Sequence, residues 1–366
     1  MTPLAGWSAC KKITVKTTYL DAAQTNFIFV YKPTAETDIG GRCLASGFDI
    51  RFTQSDGTTL LNYERVSFAV AGGAATGIFW IQSNLATAPA TDVYIHYGNA
   101  AAPDVSNAAA TWTAYTRVWH LSEAYSTAAG NYKDALGVGN LTLTDADADS
   151  AQGTGIVGNC VDLNGDADYL TDADHADHDP GGAMTIEVWR DHDTISAGIT
   201  AGVLHGDTGW GGSWYLASNA VHGADQHFRG RIITASGAVD VYGNTELPLS
   251  NSGWYYAVLT FDKTLSSNRI NVYCQGVVDC QGNGYAEDVA TSANGIIIGT
   301  SDWGALDGLI DEVRYSKDAK SASWIKFVYY NITEADNCLT IGAEELPAVI
   351  PSGLGQFYGI DLQNKI

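Results

Sequence analysis

The chain has 366 residues, among them 40 glycines, 19 tyrosines and 10 tryptophans but only two methionines. That length suits two domains with sizeable cores, and the glycine-and-aromatic balance points to an all-β protein with many tight turns rather than a helical bundle. A formal net charge of −22 argues against a nucleic-acid groove, and no apolar run approaches the ~20 residues that span a bilayer. The first residues show no apolar stretch behind positive charge, so no secretory signal is read there. Either a signal has been removed or the protein reaches the outside another way, of which release by cell lysis, as for a virus particle, is one. None of the six cysteines forms a Cys-x-x-Cys pair, which speaks against a zinc knuckle or redox motif. Cys274 and Cys280 flank Gln275-Gly-Val-Val-Asp279 and are placed to face each other across a hairpin. Buried thiols and disulfides both stay open.

The first unit covers residues 1–110. Lys12-Ile-Thr-Val-Lys16 alternates as a half-buried strand does, and Thr25-Asn-Phe-Ile-Phe-Val-Tyr31 is a second strand. Phe48-Asp-Ile-Arg-Phe-Thr-Gln-Ser-Asp-Gly57 runs into an Asp-Gly turn. Leu60–Glu64, Gly77–Ile81 and Asp92–Asn99 supply further strands, and the alanine-rich stretch Ala100–Ala110, with Pro103, is the expected link.

The second unit, residues 111–345, opens with Tyr115-Thr-Arg-Val-Trp-His-Leu-Ser-Glu123. Gly153–Leu170 is a glycine-rich approach to a strand and then an Asn-Gly turn. Met184-Thr-Ile-Glu-Val-Trp189, Trp254–Phe261, Arg269–Tyr273 and Gly295–Gly299 continue the strand-and-turn spacing of a sandwich. Leu306-Asp-Gly-Leu-Ile-Asp-Glu-Val-Arg-Tyr315 alternates after a glycine, the pattern of a strand with one side on a core and the other in water. Ser321 then caps a short helix with Trp324, Ile325 and Val328 on one face. In these motifs the second unit resembles laminin-G-like or pentraxin-like jelly rolls of the concanavalin A-type lectin/glucanase superfamily. The first unit resembles an uncharacterised β-sandwich module that often precedes such domains. Its Trp7 and basic Ile-Thr strand, Phe48–Gly57 and Tyr97-Gly-Asn99 carry that likeness, although Ser8-Ala-Cys10 replaces the usual aromatic and basic residues. The likeness is specific for fold and says little about activity. Residues 346–366 hold two prolines yet keep Ile350, Phe357, Tyr358 and Ile360, so a tail that packs on another copy or another assembly protein is the preferred reading, with a fraying end as the alternative.

Aspartates cluster at Asp145–Asp149 and from Asp162 to Asp179, and carboxylates in turns suit the six to eight oxygen ligands of calcium. Related jelly rolls often carry calcium at one rim. By that resemblance Asp311 and Asp134 are the first expected ligands, followed by Asp166 and Asp168. His175 and His178 are three apart, but Pro180-Gly-Gly182 marks a loop, so they are not read as a zinc pair. A retaining glucanase on this fold would carry closely spaced acids on one strand. No such triplet occurs: Asp311 and Glu312 are adjacent and expected on opposite faces, and Glu187 has no acid two residues away. The glycine-rich loops Gly206–Tyr215 and Gly299–Ala305 present tryptophans to the expected rim. Sugars stack on such rings, which makes Trp210, Trp303 and Asp302 the ligand-binding candidates, while Trp214 faces the core.

The expectation is a non-enzymatic, all-β protein of two β-sandwich domains, working extracellularly or on a virion surface. It binds glycans or cell-surface polysaccharide in a lectin-like way, with calcium as a structural ion. The alternative is a purely structural or decoration subunit of a virus particle or extracellular assembly, and a glycoside hydrolase is the remotest reading.

Overall fold

The computed structural model describes residues 2–347, apart from 146–147, 166–167, 195–198, 207–211, 223–224, 249, 251–252 and 302–303. The fold is all-β, with two sandwiches. In the first, one sheet has the order Leu339–Glu345, Ala9–Val15, Thr91–Tyr97, Arg51–Gln54, and the other is built from Gln24–Tyr31, Ala74–Leu85 and Tyr63–Ala71. Alternation turns Ile13, Val15, Phe52, Val93 and Ile95 onto Phe27, Phe29, Phe79 and Ile81, all fully buried or nearly so. The strand expected from Phe48 begins only at Arg51. Asp49 instead takes the backbone N–H groups of Leu44, Gly98 and Asn99, holding its own segment in a loop.

The second sandwich packs an eight-stranded sheet on a seven-stranded one. The larger runs Val277–Gly282, Ile270–Cys274, Tyr255–Asp262, Ala183–Thr194, Asp307–Ser316, Asn159–Asn164, Ala151–Thr154, with Arg117–Trp119 also pairing Asp307–Ser316. The smaller runs Gly237–Leu247, Asp225–Thr234, Trp214–His222, Ile199–His205, Ile296–Ile298, Tyr169–Thr171, Thr142–Thr144. Between them lie Trp119, Met184, Ile186, Val188, Trp214, Leu216, Leu259 and Val313. The six cysteines are free thiols, and register keeps Cys274 and Cys280 from facing each other: Cys274 opposes Val277 and Cys280 opposes Val272.

Two expectations need correcting. The unit expected to end at 345 does not close on itself, because its last strand hydrogen-bonds along Ala9–Val15 and completes the first sandwich. The helix Ala322–Thr333, capped by Ser321 as expected, lies on that sandwich too. Trp324 packs on Phe27 at 4.6 Å, and the Asn331 amide bonds both the N–H and the carbonyl of Val30. Nor does the outer side of the strand Asp307–Ser316 meet water. Glu312 and Arg314 are each 1% exposed, because the first sandwich and its link cover that side of the sheet.

Candidate functional site

The covered side of the larger sheet gathers charges on neighbouring strands. Arg314 donates to Glu312 at 2.7 Å, and its guanidinium lies 4.5 Å from the Trp80 ring and 5.0 Å from the Trp112 ring. His120 bridges Glu312 (2.7 Å) and Glu64 of the first sandwich (3.0 Å), and the Trp112 indole donates to Glu64. Glu187 accepts from the Tyr115 and Tyr256 hydroxyls, each at 2.8 Å. Burial favours the neutral imidazole, yet the carboxylates of Glu312 and Glu64 outweigh it and hold His120 protonated well above its ordinary range. Burial likewise pushes Glu312 up, but His120 and Arg314 win and keep it below the usual carboxylate value. Burial raises Glu187, against the pull of Arg314.

Adjacency was expected to send Asp311 and Glu312 to opposite faces. Glu312 has φ +49° and the register slips opposite Glu187–Trp189, a bulge that breaks the alternation. The two carboxyls therefore interact. Burial, then the Glu312 charge, raises Asp311 well above its ordinary value, and it accepts from the Val157 N–H. Glu187, Asp311 and Glu312 are all but sealed from solvent, and with Glu64 and His120 they tie one sandwich to the other.

The outer face of the seven-stranded sheet carries a second constellation. Trp214 and Leu216 belong to the core, so alternation turns Tyr215 and Ala217 outward, over a small apolar cluster with Leu204 and Ile297. Register sets Tyr215 beside Arg231, Arg231 beside Asp240 and Arg229 beside Tyr242. The Arg229 guanidinium stacks 5.2 Å from Tyr215 and 5.1 Å from Tyr242, and ion-pairs with Asp240 at 2.9 Å. Tyr242 is 37% exposed, which leaves ring surface for a ligand. Charged donors, an acceptor and aromatic rings thus share one face, where Arg229 and Tyr215 are buried and Asp240 and Tyr242 form the edge that meets solvent. Sequence inspection missed this group, though the i, i+2 spacing of Arg229 and Arg231, and of Asp240 and Tyr242, was its available signal.

Trp210, Trp303, Asp302 and Asp166 lie outside the described residues. Trp214 is fully buried and stacks on Tyr315 at 5.4 Å, on the core side where it was expected. The remaining expected metal ligands do not converge. Asp134 accepts from the N–H groups of Val118, Leu136, Val138 and Gly139, which organises its loop. Asp311 sits in the covered sheet face. Asp168, fully buried and bonded by the Ser150 hydroxyl, instead joins Asp145 and Asp149, with one carboxylate oxygen of each within 4.8 Å of the others. A mixed group, Asp174, His178 and His205, meets the same spacing. Clefts of about 630 Å³ and 420 Å³ lie elsewhere, one beside Tyr31, Lys32 and Thr340, the other beside Asn26, Lys320 and Trp324. Among the described residues, no helix is long and apolar enough to cross a membrane.

Residues 164–326 match the family model described as the concanavalin A-like lectin/glucanases superfamily, and residues 46–129 match a domain of unknown function, DUF2341. No curated protein matches the chain. Among solved structures, the chain is similar to domain 4 of an extracellular GH43 arabinanase from Geobacillus stearothermophilus, in complex with arabinotriose. That match has 17% identity and TM-score 0.42, and covers 58% of this chain and 98% of the other. It is also similar to the botulinum neurotoxin serotype D binding domain, with 12% identity and TM-score 0.43, covering 59% of this chain and 51% of that one. The native heptameric SAP-like pentraxin from Limulus polyphemus matches at 12% identity and TM-score 0.32, over 40% and 71%.

Proposed function

We propose that this chain, a concanavalin A-like sandwich preceded by a DUF2341 module, is a non-enzymatic glycan-binding surface protein. The observation that carries this reading is the outer face of the seven-stranded sheet, which lies within the stretch matching the lectin/glucanase superfamily. There Tyr215, Arg229, Arg231, Asp240 and Tyr242 stand side by side. Sugars offer C–H faces to aromatic rings and hydroxyls or carboxylates to guanidinium and carboxylate groups, the chemistry this face presents. Trp210, Trp303 and Asp302 extend the reading to neighbouring loops. Calcium is its structural ion, with Asp145, Asp149 and Asp168 as oxygen donors. Support for a binding role over hydrolysis comes from the acids of the larger sheet: Glu187, Asp311 and Glu312 are sealed from solvent, where a retaining pair needs ~5–5.5 Å spacing around an accessible bond.

The finer setting is an adhesin or a virion appendage. A second reading, a structural subunit of a virus particle or other extracellular assembly, is favoured by the way the closing strand binds the two sandwiches into one body. A glycan array probed with the full-length chain, with calcium and with chelator, separates the two. Binding to one glycan class, lost in Tyr242→Ala, Trp210→Ala or Trp303→Ala, supports the lectin-like role. A blank array from folded protein moves the assignment to assembly, where deletion of residues 346–366 should convert an oligomer to a monomer.

A further inference from the structure

Strand register brings two distant histidines to one end of the seven-stranded sheet. Tyr169–Thr171 and Ile199–His205 flank the strand Ile296–Ile298 on either side. The N–H of Asp172 bonds the Ile296 carbonyl, and the N–H of Gly206 bonds the neighbouring carbonyl of Gly295. The chain therefore leaves both strands at the same level. From the first it continues through Asp174 into the single 3-10 turn Ala176–His178, and His178 folds back toward His205. Both imidazoles are fully buried, with ring centroids 5.6 Å apart, while Asp174 is exposed.

Each ring has one nitrogen engaged. His178 Nε2 is 3.0 Å from the Asp172 carboxylate, and that carboxylate lies 3.5 Å from Arg117 Nε. His205 Nδ1 is 2.5 Å from the Ser213 hydroxyl. The other nitrogen of each ring, His178 Nδ1 and His205 Nε2, is buried without a hydrogen-bond partner among the described residues. A buried ring nitrogen left unpaired costs free energy unless something takes its lone pair. Asp172 accepts from His178 and so fixes the tautomer whose Nδ1 carries a lone pair, the arrangement by which an outer carboxylate prepares a histidine to bind a metal. One ligand atom from each of Asp174, His178 and His205 lies within 4.8 Å of the other two.

We propose that His178, His205 and Asp174 form a binding site for one divalent transition-metal ion, zinc foremost. Two imidazole nitrogens select such an ion over calcium, which takes oxygen donors throughout. Bonds of about 2.0–2.1 Å require the three ligand atoms to draw closer, a movement that exposed Asp174 at the mouth of the site is free to make. Three protein ligands leave a fourth position for water or an outside group. The ion would tie the Asp172–Pro180 loop to the end of the strand Ile199–His205. His175, on the same loop and 47% exposed, takes no part.

The test uses the full-length chain, stripped with chelator, dialysed and titrated with zinc, with metal content measured by mass spectrometry. One equivalent bound with submicromolar affinity is expected, with a rise in melting temperature. Cobalt in its place should give the intense visible bands of a tetrahedral site. His178→Gln and His205→Gln should each weaken binding at least tenfold. Asp174→Asn, at an exposed position that leaves the core intact, should weaken binding while the unliganded protein melts as before. His175→Gln should bind as the parent does. Absence of stoichiometric zinc binding in the parent, or full binding retained by Asp174→Asn and by a folded His178→Gln/His205→Gln double variant, overturns the site.

Discussion

Two arginines on opposite sheets of the second sandwich are clasped in the same manner. Arg314 lies against the rings of both Trp80 and Trp112 and pairs with Glu312; Arg229 lies against the rings of both Tyr215 and Tyr242 and pairs with Asp240. The first clasp is closed over by another sandwich, which supplies Trp80 and Glu64, and Arg314 and Glu312 are each only 1% exposed. In the second, Arg229 is buried as deeply, at 2% exposure, but its partner Asp240 and the ring of Tyr242 stay partly in solvent. One set of residue types thus serves adhesion in one place and, in the function proposed above, recognition in the other. What differs is how far the partner acid and the outer ring are covered.

If the covering layer is what makes the Arg314 clasp structural, removing it should have the largest consequence. A chain ending at residue 320 loses both the helix and the closing strand, exposing Phe27 and the free edge of Ala9–Val15. It is expected to lose cooperative unfolding of the first sandwich and to aggregate, as read by circular dichroism and size-exclusion chromatography; a monomer with the parent's melting curve would contradict this. Next in size, Arg314→Ala strands Glu312 beside His120 in a buried site and should cost about 3–5 kcal/mol in chemical denaturation. Arg229→Ala should cost less than half as much, because the Asp240 it leaves unpaired is 24% exposed and meets water.

The closed clasp should also leave its mark on pH dependence. His120 is more basic folded than its ordinary 6.5, so its contribution is complete below that pH and fades as pH climbs through the higher folded value. His120→Gln should flatten that alkaline decline by up to one proton, about 1.4 kcal/mol per pH unit, in denaturation curves taken across the range. Glu312 acts in the opposite sense: being more acidic when folded, it stabilises above its ordinary 4.5, and that support is lost as pH falls through the lowered value. The smallest effect on stability belongs to Tyr242→Ala, within about 0.5 kcal/mol. That variant should nonetheless abolish or greatly weaken glycan capture; unchanged capture would move the binding surface off this sheet.

Much of the fold is legible in the sequence because strands with one buried side announce themselves by alternation, and the helix by its Ser321 cap. The strand Asp307–Ser316 shows where that reading stops. Its Glu312 and Arg314 look like a solvated face, since nothing local records that a second sandwich will lie on them. The bulge at Glu312 is equally silent, because a non-glycine residue adopts positive φ there under tertiary constraint. His178 and His205 are 27 positions apart, and only the pairing of two strands with a shared neighbour brings them together. The Tyr-Arg-Asp face stood in plain alternation, but its meaning depends on register across three strands.

The antiparallel pairing of Ala9–Val15 with Leu339–Glu345 sets Cys10 opposite Glu345. The chain thus enters and leaves the body at one pole, and the whole second sandwich is an excursion between two strands of the first. A tension applied across residues 10 and 345 would peel that ladder open bond by bond, as a zip opens, before any load reached the larger sandwich. The molecule is in this respect built like a pendant on a clasp: anything fastened at either end leaves the Tyr215–Tyr242 face mechanically unloaded.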